Sequence, residues 1–149
     1  MSSMLTAISR PCRRPVRNTV AAKGPITIRQ LLTHTGGVGY IFDNETALGR
    51  EYLEHNLYQG TGDLAEKIDQ LATLPLYAQP GAYWIYSYSN DILGRVVEVA
   101  SGLAYEDFLR TRIFEPLGMN DTSFFFTEAE RAAAATLYVH DDEGQIQPA

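Results

Sequence analysis

The stretch Pro80-Gly81-Ala82-Tyr83-Trp84-Ile85-Tyr86-Ser87-Tyr88-Ser89-Asn90-Asp91-Ile92-Leu93-Gly94 runs from a chain break through a cluster of aromatics into an apolar helix. Proline fixes φ and removes a donor while glycine admits positive φ, so Pro80-Gly81 reads as a turn. From Asn90 or Asp91 onward, Ile92, Leu93, Val96, Val97 and Ala100 recur on one side of a helix. That spacing predicts burial of the side and a stop at Gly102. The intervening Ala82 to Tyr88 is compatible with extended backbone. Tyr88 and Asn90 thus stand two residues apart at a helix entrance, where both side chains would be held. A phenol beside a cation exchanges a proton with a nucleophilic hydroxyl, and a carboxamide donates to a carbonyl or orients an amine. Taken alone, the pair reads rather as a core tyrosine followed by a helix-capping asparagine, and its context is what turns it toward chemistry.

Outward from this segment the pattern stays helical. Thr27 with Gln30 forms a capping box ahead of Ile28, Leu31 and Leu32, a short helix expected to stop at Gly36-Gly37. Leu48, Tyr52 and Leu53 share helical spacing within residues 45–58, and Asp63 with Glu66 opens a helix carrying Leu64, Ile68, Leu71 and Ala72 on one face. Beyond Gly102, Tyr105, Phe108, Leu109 and Ile113 predict a helix from Ala104 to Phe114, ended by Pro116. Thr127 with Glu130 caps a last, Ala-rich helix. Leu137-Tyr138-Val139 reads as a strand entering a turn at Asp142-Glu143-Gly144, with no second strand expected before Ala149.

The chain has 149 residues, 45% hydrophobic and 20% charged, the balance of one globular domain. Its net charge of −6 conceals an asymmetry. Residues 1–23 hold Arg10, Arg13, Arg14, Arg17 and Lys23 with no acid, leaving seven basic against eighteen acidic groups in the remainder. A body that acidic repels polyanions, which argues against nucleic acid as a partner. The leader, residues 1–24, is expected to be poorly ordered. Its Arg-rich composition is like that of an organelle transit peptide, but Pro11 and Pro15 interrupt the amphipathic helix such a peptide needs. No secretory signal is visible, which leaves the compartment open. The longest apolar runs, such as Phe124-Phe125-Phe126, fall far short of the ~20 residues of a membrane span. Cys12 is the single cysteine, so no internal disulfide forms.

The order Ile28-Arg29-Gln30-Leu31-Leu32-Thr33-His34-Thr35-Gly36-Gly37, Pro80-Gly81, Tyr88-Ser89-Asn90, Leu93-Gly94, Ser101-Gly102 and Pro116-Leu117-Gly118-Met119 resembles the serine β-lactamase-related family. That family includes class C β-lactamases, D-alanyl-D-alanine carboxypeptidases and β-lactamase-like esterases. The resemblance covers about residues 25–147, and several motifs agreeing in order make it far more specific than any one of them. It implies an α+β, β-lactamase/transpeptidase-like fold of which residues 25–149 form a partial domain, mainly the α-helical region. It also implies that Tyr88 takes the acid/base role and Asn90 contacts the substrate, an amide or ester small molecule, with no cofactor and no metal. Ser89 is not the family's nucleophile. His34 falls in a segment that is mainly architectural in the family.

Two family motifs are missing. Ser-x-x-Lys, whose lysine activates the acylated serine, is absent, because Val20 and Leu64 stand three residues before Lys23 and Lys67. The Lys-Thr-Gly or His-x-Gly motif of a later strand is unmatched, and His34-Thr35-Gly36 spells it in the wrong place. The chain is therefore expected to be a fragment, inactive alone. The rival readings are a non-catalytic helical module that binds a partner or self-associates, and one half of a split enzyme completed by another chain. Other constellations are weaker. Glu51 and His55 share a helical face without a third metal ligand, Gly36-Gly37-Val38-Gly39 lacks the context of a phosphate loop, and Gly-x-Ser-x-Gly is absent. Tyr83, Trp84, Tyr86 and Tyr88 form an aromatic strip that periodicity alone assigns neither to core nor to cleft.

Overall fold

The computed structural model describes residues 19–149, so most of the basic leader, residues 1–18, lies outside the described residues. Two compact units divide the chain, Met1–Tyr105 and Glu106–Ala149.

In the first unit, three of the four helices α1–α4 are started by side-chain caps. Helix α1 (Ile28–Leu32) opens with a complete capping box: Thr27 accepts from the Gln30 amide, and the Gln30 side chain returns to the Thr27 amide. Helix α2 (Ala47–Glu54) is capped by Thr46, which accepts from the Gly49 amide at 2.9 Å. A second capping box, Asp63 with Glu66, opens α3 (Leu64–Leu71). Each such box satisfies two amide donors that a helix start would otherwise leave unpaired. Helix α4 (Ser89–Ser101) has no side-chain cap, and it ends at Gly102, whose φ of 73° is the left-handed stop that glycine takes without strain.

The helices gather around a small core of Val38, Tyr52, Leu71 and Tyr88, with Ile26, Leu48, Ile68, Leu74 and Ile92 half-buried against it. Helix α4 packs on α1 and α3, and Gly94 allows close approach of Leu64 and Tyr105. The face of α4 expected to be buried is only partly so: Ile92, Leu93, Val96 and Val97 are half-buried and Ala100 is exposed. The reason is length, since helices of 5 and 8 residues cannot cover one of 13.

Two loops complete this unit. Helix α1 ends at Leu32, earlier than Gly36-Gly37, because His34 turns the chain at φ 51°. The following carbonyls of His34, Thr35, Gly37 and Gly39 accept from the amides of Ile85, Gly81, Tyr77 and Tyr88 at 2.7–3.2 Å. Residues 34–39 and 77–88 are thereby joined, although 82–87 form no regular strand. Gly37 is required here, for its φ is 79° and a Cβ would strike the Ala78 carbonyl. Gln79 ties down the chain ahead of α1, accepting from the Lys23 amide at 2.8 Å and donating to the Ala21 carbonyl at 3.1 Å.

The second unit continues from α5 (Tyr105–Leu109), whose first residue closes the first unit. The helix expected through Phe114 changes pitch at Arg110–Phe114, a π-helical turn in which Glu115 N–H donates to Arg110 O at 2.9 Å. Arg110 bridges Asp107 and Glu115 across this turn. Helix α6 (Glu128–Ala133) has the Thr127 and Glu130 capping box. Contrary to expectation, the strand β1 (Tyr138–His140) does find a partner, β2 (Ile146–Pro148), in an antiparallel hairpin. The Asp141 carboxylate accepts from the Glu143 and Gln145 amides at 3.1 and 2.7 Å, and Gly144 sits at φ 78°. Three residues are too few to show periodicity in a sequence, so turn chemistry was the signal for this strand.

Candidate active site

The joined loops and the first turn of α4 bring the sequence-singled residues to one region of the first unit. Tyr88 is the last residue before α4 and is fully buried, at 0% exposure. Its hydroxyl donates to Asn56 Oδ1 at 3.2 Å, and its ring packs at 4.5 Å from Tyr40 and 5.9 Å from Tyr58. The Tyr40 and Tyr58 hydroxyls pair at 2.6 Å. Burial pushes the Tyr88 phenol up to about 12, with the neighbouring Tyr40 and Asp91 adding to the effect. Asn90, in the first turn of α4, is exposed and makes no side-chain hydrogen bond among the described residues. Tyr88 and Asn90 therefore face different surroundings, the interior and the solvent.

Tyr86 has the opposite character to Tyr88. It is 44% exposed, lies parallel to His34 at 5.0 Å and 20°, and meets Tyr40 edge-on at 5.2 Å. Tyr83 and Trp84 beside it are also exposed. Behind this aromatic surface, Ser87 and Ser89 are buried with their hydroxyls 2.7 Å apart, and Ser87 Oγ lies 3.2 Å from His34 Nδ1. Sequence reasoning saw the aromatic strip but not which of its phenols reaches solvent. No local signal could have told them apart: Tyr86 and Tyr88 share a parity, and only the pairing of 77–88 with 34–39 separates them.

Asp91, one residue past Asn90, is half-buried, and burial raises its carboxyl above the ordinary range. The Lys67 ammonium donates to the Gln59 carbonyl, and the backbone amide of Lys23 forms the Gln79 tie. His55 Nδ1 is 2.9 Å from the Glu51 carbonyl, and no group of three His, Cys, Asp or Glu side chains is placed to hold a metal among the described residues. An apolar cavity of about 380 Å³ opens between α3 and residues 22–26, lined by Ile26, Val38, Tyr52, Ile68, Leu71 and Ile92. Tyr88 and Asn90 do not line it. No described helix is long and apolar enough to cross a membrane.

Comparison with known proteins places this arrangement. The family description Beta-lactamase matches residues 9–149, and the chain belongs to that family. It is similar to the esterase EstB of Burkholderia gladioli, 38% identical over 127 residues, which are 83% of this chain and 31% of the esterase. It is also 42% identical over 104 residues to the monacolin J acid methylbutanoyltransferase of Aspergillus terreus, covering 68% of this chain and 24% of the transferase. Among solved structures it superposes on EstCE1, a hydrolase with promiscuous acyltransferase activity, with a TM-score of 0.68 at 30% identity, over 83% of this chain and 32% of that one. The fold is the β-lactamase/transpeptidase-like fold, represented here by its mostly helical part and one two-stranded sheet. The chain spans about a third or less of the length of these relatives.

Proposed function

We propose that this chain is the phenol-bearing segment of a serine hydrolase or acyltransferase that works through an acyl-enzyme. The nucleophilic serine and its lysine are supplied from outside these 149 residues, and the chain alone is inactive. The observation that carries the reading is the exposed Tyr86 phenol, set two residues before a buried helix entrance whose first turn presents Asn90 to solvent. An acid/base group must reach the proton it moves. Tyr88, to which the sequence reading gave that role, has its hydroxyl buried and engaged by Asn56. The proposal therefore gives the proton transfer to Tyr86, retains Asn90 as the contact to the substrate carbonyl, and makes Tyr88 the residue that anchors the loop. Similarity to an esterase and to a methylbutanoyl transferase favours an ester over a β-lactam or a D-amino-acid peptide as substrate.

The test joins this chain to the remaining segments of the Burkholderia gladioli esterase, which restores a full-length protein, and assays a p-nitrophenyl ester. The unjoined chain is expected to give no turnover above buffer. In the joined protein, Tyr86→Phe should lower kcat by about 10²–10⁴, the ordinary worth of a positioned acid/base group. Tyr88→Phe should leave kcat within about tenfold and lower stability instead. The reverse ranking of the two variants would return the role to Tyr88, and turnover by the unjoined chain would end the reading.

A second reading, self-association, is favoured by one observation. The segment 106–149 holds no fully buried residue while Leu117, Phe125, Leu137 and Ile146 are each at least 70% exposed. Large apolar surface is rarely left in water. Sedimentation showing a dilution-independent monomer would remove this reading.

A further inference from the structure

Among the described residues, His34 is the only non-glycine residue with positive φ, at 51°. Such backbone is costly for a residue bearing a Cβ and persists where its surroundings over-determine it. Here they do. The His34 amide donates to Leu31 O at 3.1 Å, and its carbonyl accepts from the Ile85 amide at 2.8 Å. The ring nitrogen Nδ1 sits 3.2 Å from Ser87 Oγ, which is in turn 2.7 Å from Ser89 Oγ. Both serines are buried, at 3% and 0% exposure, and Ser89 is the first residue of α4. The imidazole then lies parallel to Tyr86 at 5.0 Å and meets Trp84 edge-on at 6.2 Å. Glycine would satisfy this backbone at less cost. What glycine lacks is the ring.

We propose that His34 is a positioning residue for Tyr86: its imidazole, locked by the buried Ser87 and Ser89 hydroxyls, is the platform that fixes the plane of the Tyr86 ring relative to the start of α4. The inference rests on the reading of Tyr86 as the working phenol. It adds the reason that this exposed side chain keeps one orientation. Two serines flanking Tyr88 connect the imidazole to the turn that carries Asn90, so the phenol and the carboxamide share one rigid reference. Displacement of a reacting group by an ångström is enough to slow a reaction markedly, which is why such a reference matters.

The experiment needs no turnover, so its failure is distinct from failure of the joined-enzyme assay. The purified chain is nitrated with limiting tetranitromethane and each tyrosine is quantified by peptide mass spectrometry. Tyr83 and Tyr58, 57% and 61% exposed, serve as internal references. His34→Asn keeps a residue that tolerates positive φ and removes the ring, whereas Ser87→Ala keeps the ring and removes its tether. Either variant should raise nitration of Tyr86 relative to Tyr83 by roughly two- to tenfold, the population change released by loss of one aromatic pair. Ring-proton NMR shifts of Tyr86 in ¹³C-tyrosine-labelled chain should move toward free-tyrosine values in His34→Asn. Equal increases at Tyr58, Tyr83 and Tyr86 would assign His34 a merely structural role and overturn the proposal. Unchanged Tyr86 reactivity in Ser87→Ala, with unchanged ring shifts in His34→Asn, would overturn it as well. Should His34→Asn fail to fold, Ser87→Ala, which leaves the backbone at residue 34 untouched, decides alone.

Discussion

Residues 19–105 and 106–149 use the same local devices and differ in what those devices cover. Both contain a complete capping box and a glycine at positive φ closing a turn. In the first unit the capped helices enclose Val38, Tyr52, Leu71 and Tyr88, while in the second no side chain is fully buried. Hydrogen bonds at helix ends decide where a helix starts, but the free energy that keeps it comes mostly from apolar area removed from water. The contrast separates specification from stabilisation within a single chain.

The sharpest way to break this comparison is to remove the centre of one core. Tyr52 is 1% exposed and its hydroxyl donates to the Pro75 carbonyl at 3.0 Å. Tyr52→Ala should cost about 3–5 kcal/mol, read as a shifted or lost urea transition in the emission of Trp84, the single tryptophan. Phe125→Ala, at a side chain 77% exposed, should stay within about 0.5 kcal/mol. Equal effects would mean that the second unit has a core after all.

A smaller effect compares the caps. Asp63→Ala removes the carboxylate that accepts from the Glu66 amide at the start of α3, leaving only the backbone donor to Glu66, and should lower the stability of the first unit by about 1 kcal/mol. The equivalent Thr127→Ala change should show itself as reduced helical circular dichroism, because α6 has no buried residue and depends on its cap to start.

The smallest effect concerns acid. Hydrogen bonds from the Thr46 side chain and amide, with others from Tyr77 and Glu45, lower the Asp43 carboxyl from 3.8 to about 2. A depressed carboxyl stabilises the folded chain above its ordinary value, and this contribution is lost as pH falls from 3.8 toward 2. Asp91 has the opposite sign: burial raises it, so its ionisation opposes folding as pH rises above 3.8. Urea midpoints followed between about pH 2 and 6 should show a smaller acid-side fall in Asp43→Asn, with the remainder shared by groups such as Glu130 whose carboxyl is also lowered, and gain stability at the upper end in Asp91→Asn.

Much of the fold was legible in the sequence because its signals are local. Thr27 with Gln30, Asp63 with Glu66, Thr127 with Glu130 and the stop at Gly102 each act within a few residues, and each stands where the sequence places it. The family and its fold were legible from several such segments in one order. What was not legible depended on distant chain. The pairing of 34–39 with 77–88 decides that Tyr86 faces solvent and Tyr88 the interior, and no window around residue 88 contains that information. The partial burial of α4 was likewise decided by the brevity of α1 and α3 rather than by its own apolar spacing. Strand β2 was too short to announce itself, and the π-helical turn at Arg110–Phe114 shifts the phase of a pattern that is otherwise regular.

The four bonds between the two loops have one more consequence. They join segments some forty residues apart in sequence, while the intervening chain passes through exposed Gly60 and Gly62, both at positive φ. A protease that severs the backbone there cuts the covalent route between His34 and Tyr86 but none of the contacts that hold them together. The halves of a chain so cleaved would still carry, on their facing edges, the instructions for finding each other.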